Sequence, residues 1–192
     1  MEKSNFIKTF FIVLFCLYTI LTKAQVASVE KSINSIQVGL LGILINSEIK
    51  LTNQLSLRSE IGMTTGIFGG TFYPKTGYLI VPTINVEPRW YYNLQKRLSK
   101  NKIIANNNGN FLTIPTSFNP NWFNISNYNN IKIVNQLSII PTWGLRRNLN
   151  DNLNYEIGFG LGYKYYFAKS AGYTKNESSA VANLHLRIGY NF

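Results

Sequence analysis

Between residues 153 and 167, every second position is apolar or aromatic: Leu153, Tyr155, Ile157, Phe159, Leu161, Tyr163, Tyr165 and Phe167. The positions between them are Asn154, Glu156, Gly158, Gly160, Gly162, Lys164 and Tyr166. Successive side chains of a β-strand point to opposite faces. The run therefore predicts one long strand with an apolar face and a polar, partly bare one. The end of the chain repeats it. Ala182, Leu184, Leu186, Ile188, Tyr190 and Phe192 share one parity; Asn183, His185, Arg187, Gly189 and Asn191 share the other. Residues 55–68 do the same. Residues 78–94 and 131–147 alternate less purely, 110–118 is weak, and 36–51 is strong but long for one strand.

Short polar turns are expected at residues 52–54 and 148–152, and a basic turn between Leu94 and Lys102. Longer loops rich in Asn, Gly and aromatics are expected at 69–77, 119–130 and 169–179. Turns and loops alternate along the chain, so one end of the sheet carries turns and the other carries loops. Pro74 and Pro120 fall in loops. Pro82, Pro88 and Pro141 fall inside strand patterns, and because proline removes a ladder donor, bulges or local gaps are expected there.

The first 24 residues read as a cleavable export signal, with Lys3 and Lys8 before an apolar run at 10–21 and small residues at Thr22 and Ala24. That run is well short of the ~20 residues of a membrane-spanning helix. Cys16, preceded by bulky Phe15, does not fit lipoprotein processing. The mature chain would be residues 25–192, with 16 basic and 7 acidic residues. One Cys excludes a disulfide framework, and one His leaves little for a His-based metal site. After the leader, the longest apolar stretch is 38–45.

The polar parity carries Glu48, Lys50, Arg58, Glu60, Glu87, Arg89, Arg146, Glu156, Lys164, His185 and Arg187. In a narrow closed sheet these would form a hydrogen-bonded ion-pair plug, a structural network, with inward glycines leaving room for long side chains. On the apolar parity, Trp90, Tyr92, Trp143, Tyr155, Tyr190 and Phe192 gather near the turn end. Tyr163, Tyr165 and Phe167 lie near the other end. Rings of this type favour a membrane–water interface.

Residues 86–97 (VEPRWYYNLQKR), 141–148 (PTWGLRRN), 158–165 (GFGLGYKY) and 184–192 (LHLRIGYNF) resemble the small outer-membrane β-barrel domain family of Gram-negative bacteria. The resemblance covers residues 36–192. It implies an all-β, closed, antiparallel up-and-down transmembrane barrel, most often of eight strands. Seven are located here, and the eighth is expected within 27–35 or by splitting 36–51. Phe192 resembles the terminal signal read by the barrel-assembly machinery. The other implied partners are outer-membrane lipids and lipopolysaccharide, for a monomer in the cell outer membrane.

The sequence holds no metalloprotease, nucleophile-elbow or P-loop pattern. No enzyme activity, cofactor or metal is expected. The basic cluster at 96–102 lacks the interleaved aromatics of a nucleic-acid surface and reads as a solvated turn. Two functions remain. One is a structural or surface-interaction protein acting through its outer loops, with Trp122, Phe123 and Tyr128 as candidate contacts. The other is a carrier: a small pore, or a soluble lipocalin-like binder whose apolar parity would line a cavity.

Overall fold

The computed structural model describes residues 26–71, 74–129 and 131–192; the expected leader lies outside them. The fold is all-β, 58% strand and 7% helix, an antiparallel up-and-down sheet of eleven strands. They are β1 (Ser32–Gly39), β2 (Gly42–Lys50), β3 (Leu55–Phe68), β4 (Gly77–Trp90), β5 (Asn110–Thr113), β6 (Thr116–Asn119), β7 (Ile125–Ser126), β8 (Gln136–Ile139), β9 (Thr142–Asn148), β10 (Leu153–Tyr166) and β11 (Glu177–Asn191). The sheet turns back on itself: β11 pairs with β10 on one side and with β1 on the other, Ile36 facing Tyr190.

The overlong segment 36–51 is two strands. Gly39 faces Gly42 across a two-residue turn of Leu40 and Leu41. Gly42 takes φ 149°, and a Cβ there would run into the Met63 carbonyl. Glycine is what lets an otherwise apolar segment reverse direction.

The proline expectation holds as gaps rather than bulges. β3 and β4 pair without interruption from Leu55–Trp90 to Phe68–Gly77, past both Pro82 and Pro88. On its other edge β4 meets β5 only at Arg89 and Trp90, β6 at Ile84 to Val86, and β7 at Leu79 and Ile80. Pro88 and Pro82 sit in the two breaks. Pro115 separates β5 from β6, and Pro141 separates β8 from β9. The weak strand at 110–118 is thus a broken one. The strand expected over 131–147 begins only at Gln136. The strand expected over 78–94 ends at Trp90.

Burial is inverted relative to a water-soluble sheet. The buried positions include Ser35, Gln37, Asn46, Ser56, Thr83 and Asn154, together with the charged residues treated below. Ile43, Ile45, Ile61, Phe159, Leu161 and Leu184 are exposed. This is the reverse of the lipocalin-like arrangement, in which the apolar parity would face inward. Among the described residues, no helix is long and apolar enough to cross a membrane.

An apolar cluster forms at the turn end. Ala27, Val29, Tyr91, Leu94 and Phe111 are buried together, with Leu98 and Ile104 against them. The expected basic turn after Leu94 is in fact helix α1 (Leu94–Leu98) followed by a short 3-10 turn (Ala105–Asn107). The helix swings Leu94 out of the strand alternation, so it points into this cluster instead of outward. The N-terminal segment is held against it by Ala27 N–H donating to Gln95 Oε1 (2.9 Å) and Glu30 N–H donating to Asn107 Oδ1 (2.7 Å). Asn101, Asn106 and Asn107 take positive φ, which asparagine tolerates better than most residues.

Candidate functional site

Strand register lays out the interior charges. Glu48 on β2 faces Arg58 on β3, which faces Glu87 on β4. In the strand order, β9, β10 and β11 form a separate row, where Arg146 faces Glu156, which faces Arg187. One row reads acid–base–acid and the other base–acid–base. The two rows bond across the interior to each other.

Glu156 is the centre. Its Oε1 accepts from Arg58 Nη1 (2.9 Å), Arg89 Nη1 (3.0 Å) and Arg146 Nε (2.7 Å). Its Oε2 accepts from Arg89 Nη2 (3.1 Å) and lies 2.7 Å from His185 Nε2. Glu60 pairs with Arg58 (2.5 Å) and Arg187 (2.8 Å) and accepts from Asn85 Nδ2 (2.8 Å). Glu48 lies 3.0 Å from Arg146 and accepts from Ser56 Oγ (2.6 Å) and Asn107 Nδ2 (2.8 Å). Glu87 pairs with Arg89 at 2.7 Å. The side chains of Arg58, Arg89 and Arg146 are 0% exposed. Four carboxylates therefore stand against four guanidiniums, and the buried charge balances. Isolated charges are costly to bury; paired and hydrogen-bonded ones are tolerated.

The network extends into the apolar cluster. The Arg89 guanidinium sits 4.4 Å from the centroid of the Phe111 ring, and Tyr91 tilts against the same ring at 5.5 Å. Gly144 makes this possible, because a Cβ there would lie 2.6 Å from the Phe111 ring edge.

Nine of the eleven charged residues expected on the polar parity belong to this network. Lys50 and Lys164 do not. Lys50 lies at the turn end and donates to Ser28 Oγ at 2.7 Å. Lys164 stands beyond the bare glycines of β10, where it lines a cavity of about 410 Å3 open toward the loops. His185 and Arg187 also line that cavity, as do Thr83, Asn85 and Asn119.

Of the loop candidates, Tyr128 packs down. Its ring lies 5.6 Å from that of Phe68, and its hydroxyl donates to the Lys75 carbonyl at 2.6 Å. Trp122 and Phe123 are exposed, at 66% and 50%. Phe192 is exposed at the chain end, and its N–H donates to the Asn34 carbonyl at 3.1 Å. Tyr91 follows the inward parity of Arg89, whereas the alternation does not place Leu94 or Phe111 in this cluster.

Trp90, Tyr92, Trp143, Tyr155 and Tyr190 share the outer face at the turn end. Trp143 Nε1 donates to the Tyr92 hydroxyl at 2.8 Å, and the Trp90 and Tyr92 rings are 6.0 Å apart. Among the described residues, no group of three or more His, Cys, Asp or Glu side chains is placed to hold a metal ion. No family model matches the chain, and neither a curated protein nor a solved structure does.

Proposed function

We propose that this chain is an integral outer-membrane β-barrel with a plugged, charged lumen and a structural or surface-interaction role. Eight staves make up the barrel: β1, β2, β3, β4, the broken line β5–β6, the broken line β8–β9, β10 and β11. The observation that carries the reading is the inverted burial, with charges inside and an apolar, aromatic-rimmed face outside. Apolar side chains in that number and position gain nothing from water and are stabilised by hydrocarbon. An eight-stave barrel has an interior that side chains just fill. Here the guanidinium–carboxylate network and the apolar cluster fill the turn half, while the loop half keeps the open cavity.

In this reading the turns face the periplasm and the loops face outward. The long loops, with Trp122 and Phe123 exposed, are the surface available to lipopolysaccharide or a neighbouring protein. The leader takes the chain to the envelope, and the barrel-assembly machinery reads β11 with Phe192 directly after it. The resemblance to small outer-membrane barrels agrees with this reading.

Fractionation tests it. The protein should leave the envelope only with detergent and should begin at Gln25. It should run at two positions on a gel, compact when unheated and slower when boiled. Recovery in the soluble periplasmic fraction would overturn the proposal.

A further inference from the structure

Two neighbouring features of the turn end are unused by that reading. The first is an apolar groove of about 540 Å3 on the outer face, bounded by Leu55, Pro88, Trp90, Leu112, Ile114 and Trp143. It follows the break in the sheet, where Pro88 and Pro141 interrupt the ladder beside β5. Trp90, Leu112 and Trp143 stand in one cross-strand row along it. The second is a pocket of about 400 Å3 whose basic lining is Lys96, Arg97, Lys100, Lys102 and Arg147. No carboxylate lines it. The eight ion pairs among the described residues include none of these five cations.

Tyr92 joins the two. Its hydroxyl accepts from Trp143 at the groove and from Asn110 Nδ2 (3.3 Å). Asn110 Oδ1 in turn accepts from Arg147 Nη2 at 2.5 Å, at the pocket. Arg97 is held by the Ile103 carbonyl and Asn108 Oδ1, both neutral acceptors. Its partial burial, and after it the neighbouring Arg147 charge, hold its pKa below the usual value. Like charges brought together without an acid lower their mutual repulsion when an anion enters.

We propose that this rim binds an anionic phospholipid, its phosphate among Lys96, Lys100, Lys102 and Arg147 and an acyl chain in the Trp90–Trp143 groove. The proposal rests on the barrel reading. Cations alone would suit any phosphate. The apolar groove, linked to the pocket through the Tyr92–Trp143 hydrogen bond, selects one that carries a chain. Basic side chains at a membrane surface attract anionic lipid, and Trp and Tyr settle at the headgroup level.

The test is native mass spectrometry of the mature protein in detergent micelles, titrated with phosphatidylglycerol or phosphatidylcholine. Wild type should retain phosphatidylglycerol about tenfold better, since each basic residue near the surface contributes appreciably to anionic-lipid binding. The triple variant K100Q/K102Q/R147Q should lose that preference, and K169Q/K175Q at the loop end should keep it. Trp143→Ala should weaken retention of both lipids. Inorganic phosphate in excess should compete poorly. Gel migration of unheated samples reports folding for each variant; K96Q/K102Q, confined to exposed side chains, replaces the triple variant if that one fails to fold. Equal retention of the two lipids by wild type, an unchanged preference in the rim variants, or full displacement by inorganic phosphate would each overturn the lipid site alone. Failure of wild type to fold in micelles would instead remove the barrel reading, and the lipid site with it.

Discussion

Arg89 and Glu156 are 67 residues apart in the chain and meet as a fork, Nη1 on Oε1 at 3.0 Å and Nη2 on Oε2 at 3.1 Å. Paired planar bonds of this kind fix orientation as well as charge. The contact joins β4 to β10 through the interior, where no backbone pairing links them. Two more guanidiniums and His185 share the same carboxylate. Glu156→Gln would keep its shape and leave three buried arginines short of one negative charge. The expected loss is about 3–5 kcal/mol of folding stability, the usual result of removing one partner from a buried ion pair. Urea unfolding in lipid vesicles measures it. A loss below about 1 kcal/mol would mean that the network is wet and screened.

Leu184 and His185 are adjacent and face opposite ways, Leu184 54% exposed and His185 buried against Glu156. Leu184→Arg should cost about 2–4 kcal/mol if its surroundings are hydrocarbon near the midplane. In a sheet facing water it would be close to neutral. His185→Gln keeps a donor for Glu156 and should be the milder change. Comparing the compact gel band of the two variants decides between lipid and water on the outer face. An intact band for Leu184→Arg would mean that the outer face meets water.

The cavity below the loops ends at Asn85, His185 and Arg187. Beneath them lie the ion pairs, and beneath those the cluster of Tyr91, Leu94 and Phe111. Purified protein in planar bilayers should therefore give no steady single-channel steps. Regular steps would make the cavity a vestibule and the protein a pore.

Phe111 is fully buried between Tyr91, Gly144 and the Arg89 guanidinium. Phe111→Ala should cost about 3–5 kcal/mol, as large core truncations do. Gly144→Leu should be at least as harmful, because the new side chain claims the space of the ring. Both can be followed by the temperature at which the compact band is lost. Tolerance of Gly144→Leu would show that the cluster can rearrange.

Parity was the most legible property of this chain, because strand side chains alternate with a period of two and the segments are long. It placed Arg58, Glu87, Arg146 and Glu156 on one face without knowledge of any neighbour. Pairing across the interior was not legible. The register partner of Glu48 is Arg58, yet its ion pair is with Arg146, a choice made by distance across the interior. The length of 36–51 already points to two strands, but Leu40 and Leu41 carry no turn chemistry of their own, so the apolar run does not mark where between Gly39 and Gly42 it reverses. The alternation at Trp90 and Tyr92 was carried one step too far, to Leu94, because a helix begins where the strand pattern still fitted. Residues 131–134 alternate like a strand without joining a ladder, and only the Asn135 carbonyl, accepting from Phe167 N–H at 2.9 Å, extends the β8–β10 contact.

The pairing of Ile36 with Tyr190 has a consequence for the order of events in the life of the chain. The first strand has only β2 to hold its other edge. Its remaining partner is β11, which follows every other described strand, so until β11 forms one row of backbone donors and acceptors stays open. Open edges of this kind recruit other chains. The β1–β11 contact thus has to wait for residues 187–191, and a chain truncated before residue 187 would leave both edges of the sheet open.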